Sequence, residues 1–161
     1  MRLVLLVLAV ALLAGCGFHL RGTAALPFET LYIPGATALA VELKRNVTAA
    51  SKTRIVDNPE KAQAVFGFTD ETREKTILTF TSAGKVNEYR LRYRVGFRVT
   101  DSKALQVFLP TSEIILTRDM SYNDAQVIAK EAEEALLYRD MQTDMVQQIM
   151  RRLVTAHPQT E

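Results

Sequence analysis

Residues 89–99 constrain this chain more than any other stretch. Tyr89, Leu91, Tyr93, Val95, Phe97 and Val99 alternate there with Arg90, Arg92, Arg94, Gly96 and Arg98. A period of two sustained over that length is a β-strand with one buried face and one wet face. The apolar face needs a cover, and the rest of the chain has to supply it.

The flanking segments read as further strands. Ser82-Ala83-Gly84-Lys85 is a hairpin turn with its glycine in place. Before it, Ala64, Phe66 and Phe68 share one parity with Thr76, Leu78 and Phe80. Residues 63–81 therefore read as one long strand, bent near Gly67 or Asp70-Glu71. After the arginine strand, Asp101-Ser102-Lys103 turns the chain and residues 105–117 return, interrupted by Pro110. Such a proline fits a bulge or a sheet edge. Upstream, residues 28–33 (F-E-T-L-Y-I) form a short strand closed by Pro34-Gly35, and residues 53–56 are β-prone until Asn58-Pro59.

Two segments have helical period. Residues 36–51 place Leu39, Leu43 and Val47 on one stripe, and residues 125–156 do the same with Leu137, Met141, Met145, Ile149 and Leu153. The earlier Ile128, Ala132 and Leu136 lie on a displaced stripe, which predicts a bend or a change of packing partner near Glu134. His157-Pro158 closes the helix. The expected fold class is α+β: a two-layer sandwich with two helices on one face of a roughly four-stranded, mostly antiparallel sheet.

The N-terminus sets the address. Arg2 precedes an unbroken apolar run from residue 3 to residue 13, and Leu13-Ala14-Gly15-Cys16 follows with the only cysteine of the chain. A positive start, a short apolar core, small residues and then cysteine form a lipoprotein signal with its lipobox. The run is too short to span a bilayer, which takes roughly 20 residues. The thiol of Cys16 is the nucleophile that receives the lipid, and Ala14-Gly15 leave the signal peptidase access to the bond. Residues 1–15 are thus expected to be removed, residues 16–27 to form a lipidated tether, residues 28–157 to fold as one domain and residues 158–161 to trail as a tail. With Cys16 carrying S-diacylglycerol and an N-acyl group, no thiol is left for a disulfide or a thiolate metal site. No other cofactor and no metal is expected. Gly17 stands where an inner-membrane retention signal would place Asp, so the expected location is the periplasmic face of the outer membrane. Loss of Arg2 leaves 19 of the 20 basic residues against 18 acidic ones, formally +1. That balance excludes a nucleic-acid protein by bulk charge.

Catalysis has little support. His19 lies three residues from the lipidated cysteine and His157 near the C-terminus, Glu131, Glu133 and Glu134 read as a solvated helix face, and no phosphate-binding glycine loop is present. No enzymatic role is expected. The arginine ladder is the stronger clue. Alternate residues on a strand stand about 6.8 Å apart, and neighbouring like charges at that distance repel by roughly 0.6 kcal/mol even in water. Two readings stay open for Arg90, Arg92, Arg94 and Arg98. They form a solvated face balanced by cross-strand carboxylates such as Glu74 or Glu113, or they bind an anionic partner through guanidinium forks.

Cys16-Gly17-Phe18-His19-Leu20-Arg21, directly after the lipobox, resembles the start of the lipopolysaccharide-assembly lipoprotein family LptE. Asn87-Glu88-Tyr89, Tyr122-Asn123-Asp124, Lys130 and Met150-Arg151-Arg152-Leu153 continue the likeness over essentially the whole mature chain. Phe18 stands where members often carry Trp. The resemblance implies two helices against a four-stranded sheet. It also implies a plug inside the LptD β-barrel as a heterodimer, with help to barrel assembly and to delivery of lipopolysaccharide. Family members are thought to touch lipopolysaccharide through basic residues near the hairpin turn and at the start of the last helix. The matching positions here are Lys85 and Lys130, and Thr81 stands where some members have a further basic residue. A peripheral scaffold for another envelope machine, with no cargo contact, is the competing expectation.

Overall fold

The computed structural model describes residues 25–158. Cys16, the hexapeptide that it opens, the tether up to residue 24 and residues 159–161 lie outside that range. Within it, the sheet is built from β1 (Thr30–Tyr32), β2 (Arg54–Ile55), β3 (Ala64–Phe80), β4 (Val86–Thr100) and β5 (Val107–Ser121). Helix α1 (Ala38–Ala50) follows β1, and helix α2 (Val127–Val154) follows β5. The strand order is β2-β1-β3-β4-β5. The three long strands are antiparallel, whereas β1 runs parallel to both β2 and β3. The α+β sandwich is as expected, with five strands rather than roughly four. The fifth, β2, is two residues long and falls within the β-prone stretch 53–56.

Local chemistry starts and stops each element. Gly35 takes φ +82°, a left-handed value that costs glycine little. Thr37 then caps α1, its Oγ1 accepting the Ala40 amide at 3.2 Å. Asn123 caps the 3-10 turn Asp124–Gln126 that leads into α2. In the β3–β4 hairpin, Gly84 takes φ +76° while the Thr81 amide donates to Lys85 O at 2.7 Å. Pro110 sits on the edge strand β5 beside a bulge, where Phe97 pairs with Ser112 and Val99 with Leu109.

The core lies between the helices and one sheet face. Leu91, Tyr93, Val95, Phe97 and Val99 of β4 are fully buried against Leu39, Leu43 and Val47 of α1 and Met141, Met145, Ile149 and Leu153 of α2. Each such side chain contributes roughly 1.5–3 kcal/mol on burial, which is what holds the two layers together. The stripe around Ile128 is different. Helix α2 is unbroken through Glu134, yet Ile128 is 84% exposed and Leu136 53%. The displaced stripe marks a loss of cover along a continuous helix.

The long strand departs from its expected parity. Phe68 pairs with Phe97 but Asp70 pairs with Gly96, so Thr69 is an extra residue and β3 bulges there. A bulge inserts one residue and flips every side chain beyond it to the opposite face. The bend near Asp70 is therefore real, but Thr76 does not share a face with Phe66. Beyond Thr69, the helix-facing positions are Glu71, Arg73, Lys75 and Ile77, each opposite a core-face residue of β4. A Cβ on Gly96 would collide with Thr69 Oγ1. The glycine that interrupts the arginine ladder is thus the seat of the bulged residue.

Candidate functional site

Sequence singled out two surfaces, the open sheet face and the hairpin end. On the open face the ladder forms as expected, with Arg90, Arg92, Arg94 and Arg98 on the side away from the helices. The bulge sets Asp70, Thr72, Glu74 and Thr76 on that face of β3, and Asp119, Thr117, Ile115 and Glu113 come from β5. Arg90 grips Asp119 with both fork arms, Nε to Oδ1 at 2.8 Å and Nη2 to Oδ2 at 2.9 Å. That hydrogen bond, with the charge attraction, raises the Arg90 pKa and holds the Asp119 carboxyl below its ordinary range. Arg94 reaches Asp70 at 3.0 Å and Glu113 at 3.5 Å. Glu113 is one of the two carboxylates expected to balance the ladder. Glu74 pairs with Arg92 in register only. Arg92 and Arg98 make no ion pair among the described residues.

At the other surface, the hairpin turn and the start of α2 meet over residues 121–124. Lys85 Nζ lies 3.2 Å from Asp124 Oδ2, with both side chains more than half exposed. The turn and the segment before α2 enclose an open cleft of about 590 Å³, lined by Thr81, Lys85, Asn87, Tyr122 and Asp124 among others. The Tyr122 amide donates to Asn87 O at 2.8 Å, and the Tyr122 ring packs edge-on against Tyr89. Lys130 is less open than Lys85. Its side chain is only 13% exposed and donates to Ser121 Oγ at 3.0 Å and Glu133 Oε2 at 2.8 Å. Lys85 and Lys130 both reach toward residues 121–124, but Lys130 does not line the cleft.

A third group went unread in the sequence. The flipped residues of β3 meet α2 through polar contacts. Lys75 Nζ reaches Glu134 at 2.6 Å, Arg73 Nη2 donates to Gln142 Oε1 at 3.0 Å, and Tyr138 OH donates to Glu74 O at 2.8 Å. The Arg73 guanidinium also covers the rings of Tyr93 and Tyr138, at 4.6 and 5.3 Å. Tyr93 OH donates to Glu71 at 2.7 Å. Burial, then that carboxylate, push the Tyr93 phenol well above the usual tyrosine range. Only the extra residue at Thr69 brings these groups to the helices, and no composition signal announces it. Among the described residues, no cluster of His, Cys, Asp and Glu is placed to hold a metal ion, and no helix is long and apolar enough to cross a membrane.

The family model of lipopolysaccharide-assembly LptE proteins matches residues 28–153, which takes in every helix and strand except the last residue of α2. The chain belongs to the LptE family. Its likeness to curated LptE proteins runs nearly end to end. The LPS-assembly lipoprotein LptE of Pectobacterium atrosepticum is 31% identical over 175 residues, covering 99% of this chain and 89% of that protein. The LptE of Photorhabdus laumondii is 29% identical over 167 residues, covering 95% and 85%. Among solved structures, lipoprotein B of Nitrosomonas europaea superposes with a TM-score of 0.74 at 39% identity, over 86% of this chain and 90% of the other. A minor lipoprotein of Acinetobacter baumannii shares the fold, with a TM-score of 0.68 at 23% identity. As an LptE-family member the chain is a lipoprotein of lipopolysaccharide assembly.

Proposed function

We propose that this LptE-family chain is anchored through acylated Cys16 at the periplasmic face of the outer membrane. There it plugs the LptD β-barrel as a heterodimer, supports assembly of that barrel and touches the lipopolysaccharide passing through it. The observation that carries the reading is the family match across the whole folded domain. The open sheet face supports it in physical terms. Arg90 and Arg94 already share carboxylates, so that face presents alternating charge, which suits a polar barrel wall better than a hydrocarbon surface. Arg92 and Arg98 are the cations left for acidic side chains or phosphates.

Lys85 and Lys130 are the candidates for cargo. An exposed ion pair such as Lys85–Asp124 contributes about 0–1 kcal/mol, so the ammonium exchanges a carboxylate for a lipid A phosphate at little cost. Lys130 is already positioned by Ser121 and Glu133 and needs less ordering on binding. Affinity purification of the tagged chain from detergent-solubilised outer membrane tests the reading. A one-to-one complex with a large β-barrel is expected. Recovery of soluble partners alone would replace the plug with the peripheral scaffold.

A further inference from the structure

The ion pairs of the described residues involve six cations, Lys75, Lys85, Arg90, Arg94, Arg118 and Lys130, all on the hairpin, β5 or α2. A second set of cations gathers around the opposite edge of the sheet at β2. Lys44 and Arg45 lie on α1, Lys52 and Arg54 flank Thr53, and Lys61 closes the next turn. None of these makes an ion pair among the described residues. The acidic residues of the same segments are Glu29, Asp57 and Glu60, while Glu42 is bound to Gln142 and Thr143 of α2.

This edge is also where the chain departs toward Cys16, and the departure is pinned. Thr53 Oγ1 donates to Phe28 O at 2.8 Å, the Arg54 amide to Glu29 O at 2.9 Å, and the Glu29 amide to Gln63 Oε1 at 2.8 Å. Lys52 and Arg54 consequently line one open cleft of about 610 Å³ with Ala25, Leu26 and Pro27. Lys44 and Arg45 line a second, of about 370 Å³, with Ile55. Arg54 and Ile55 are consecutive in β2, so both clefts meet the same edge strand.

We propose that this basic edge rests on anionic phospholipid headgroups of the leaflet that holds the acyl chains. The inference deepens the proposed function and rests on its lipid anchor. From Cys16 to Ala25 the chain reaches at most about 32 Å. Strand β3 alone, at about 3.3 Å per residue, carries the hairpin turn on the order of 50 Å from the edge where it starts beside β1. The anchor therefore keeps the β2 edge, not the hairpin turn, within reach of the bilayer. Each Lys or Arg close to an anionic leaflet strengthens association about fivefold, an effect that fades beyond a Debye length of about 10 Å at 0.1 M salt. Contact there fixes how the domain sits on its tether and points the hairpin end away from the headgroups.

The test uses the full lipidated chain in vesicles of phosphatidylcholine, with or without phosphatidylglycerol. Once Cys16 is acylated, an Ala49→Cys substitution provides the single thiol, and Ala49 is an exposed residue of the second cleft. A fluorophore on that thiol, quenched by headgroup-labelled lipid, reports approach to the leaflet. Quenching is expected to rise several-fold with phosphatidylglycerol, to fall in high salt, and to be lost in Lys52→Glu/Arg54→Glu with an unchanged melt. Equal quenching in both vesicle types, or quenching that survives the double reversal, overturns the proposal. With the barrel partner reconstituted in the same vesicles, shielding of the probe that does not depend on phosphatidylglycerol also overturns it and gives the edge to protein. Flotation of the vesicles reads the anchor separately. A chain that floats without the lipid-dependent signal retains the anchor and loses the patch. A chain that does not float loses both.

Discussion

On the two sides of Thr69, the same strand meets the helices by different physics. Before the bulge, Ala64 and Phe66 are fully buried, and Phe66 stacks on Phe97 with centroids 5.4 Å apart. Beyond it, Glu71, Arg73 and Lys75 occupy the equivalent positions; Arg73 and Lys75 meet α2 through a hydrogen bond and an ion pair, and Glu71 accepts from Tyr93 of β4. One half is held by removal of apolar surface from water, which is non-directional and grows with the area buried. The other is held by partly exposed polar contacts, each contributing about 0.5–1.5 kcal/mol. The hairpin end and the first half of α2 are thus the looser part of the molecule, and the region over residues 121–124 sits there. Low local stability of this kind is typical of segments that rearrange around a partner.

Truncation scanning should separate the two halves most clearly. Phe97→Ala and Leu43→Ala remove fully buried side chains and are expected to cost about 3–5 and 2–5 kcal/mol in urea unfolding. Ile77→Ala and Ile128→Ala, at 47% and 84% exposure, should move stability by less than about 0.5 kcal/mol. Similar losses in both sets would erase the distinction.

The bulge itself is the next largest effect. Gly96→Val pushes a branched side chain into Thr69 Oγ1 and is expected to cost about 1–3 kcal/mol as overpacking. Thr69→Gly in the same chain should recover part of that loss. A double-mutant cycle with no coupling would show that Thr69 simply rotates aside, and the register would then have another cause.

What the sequence made legible follows the same divide. The core stripes of β4, α1 and α2 were readable because burial repeats with the period of the element, and Leu39, Leu43, Val47, Met141, Met145, Ile149 and Leu153 all reach the core. The bend in β3 was readable from Asp70-Glu71, but its consequence was not. Alternation carries no mark of an inserted residue, so Thr76 was placed on the face that Ile77 occupies. The ladder was legible as a strand face, while its neutralisation by Asp119 and Asp70 depends on registers that only strand pairing supplies. The low exposure of Lys130, held by Ser121 and Glu133, was not legible, because contacts between a loop and a helix leave no period.

The Tyr93 phenol offers a smaller, pH-resolved test of the polar half. Its folded pKa is raised by burial and by Glu71, so the native state keeps a proton that an unfolded tyrosine releases near pH 10, roughly its ordinary value. The stability tied to this group is complete below about pH 10 and falls as pH rises toward the folded value, by up to about 1.4 kcal/mol per unit. Tyr138 is raised in the same direction, first by burial. Urea titrations from pH 8 to 11 should show a shallower alkaline loss in Tyr93→Phe than in the parent, although the variant starts about 0.5–1.5 kcal/mol lower for the missing hydrogen bond. Parallel curves would place the phenol in contact with water.

The smallest stability effects are expected at the hairpin end, where binding rather than folding should respond. Lys85→Glu breaks only an exposed pair with Asp124, so its melt should match the parent within about 0.5 kcal/mol. Lys130→Glu loses two hydrogen bonds and faces Glu133, and it should cost about 1 kcal/mol more than the Lys85 change. Lys130→Gln keeps a donor for Ser121 without the repulsion and separates charge from folding. If both lysines contact lipid A phosphates, each single reversal changes lipopolysaccharide binding little, because one exposed contact contributes about 0.2–1 kcal/mol. Lys85→Glu with Lys130→Gln should then weaken binding several-fold at matched salt in a chain that still melts near the parent temperature. Unchanged binding in that folded variant would move the cargo contact off the hairpin end. Arg92 and Arg98, the two ladder cations without a carboxylate, would be the next to reverse.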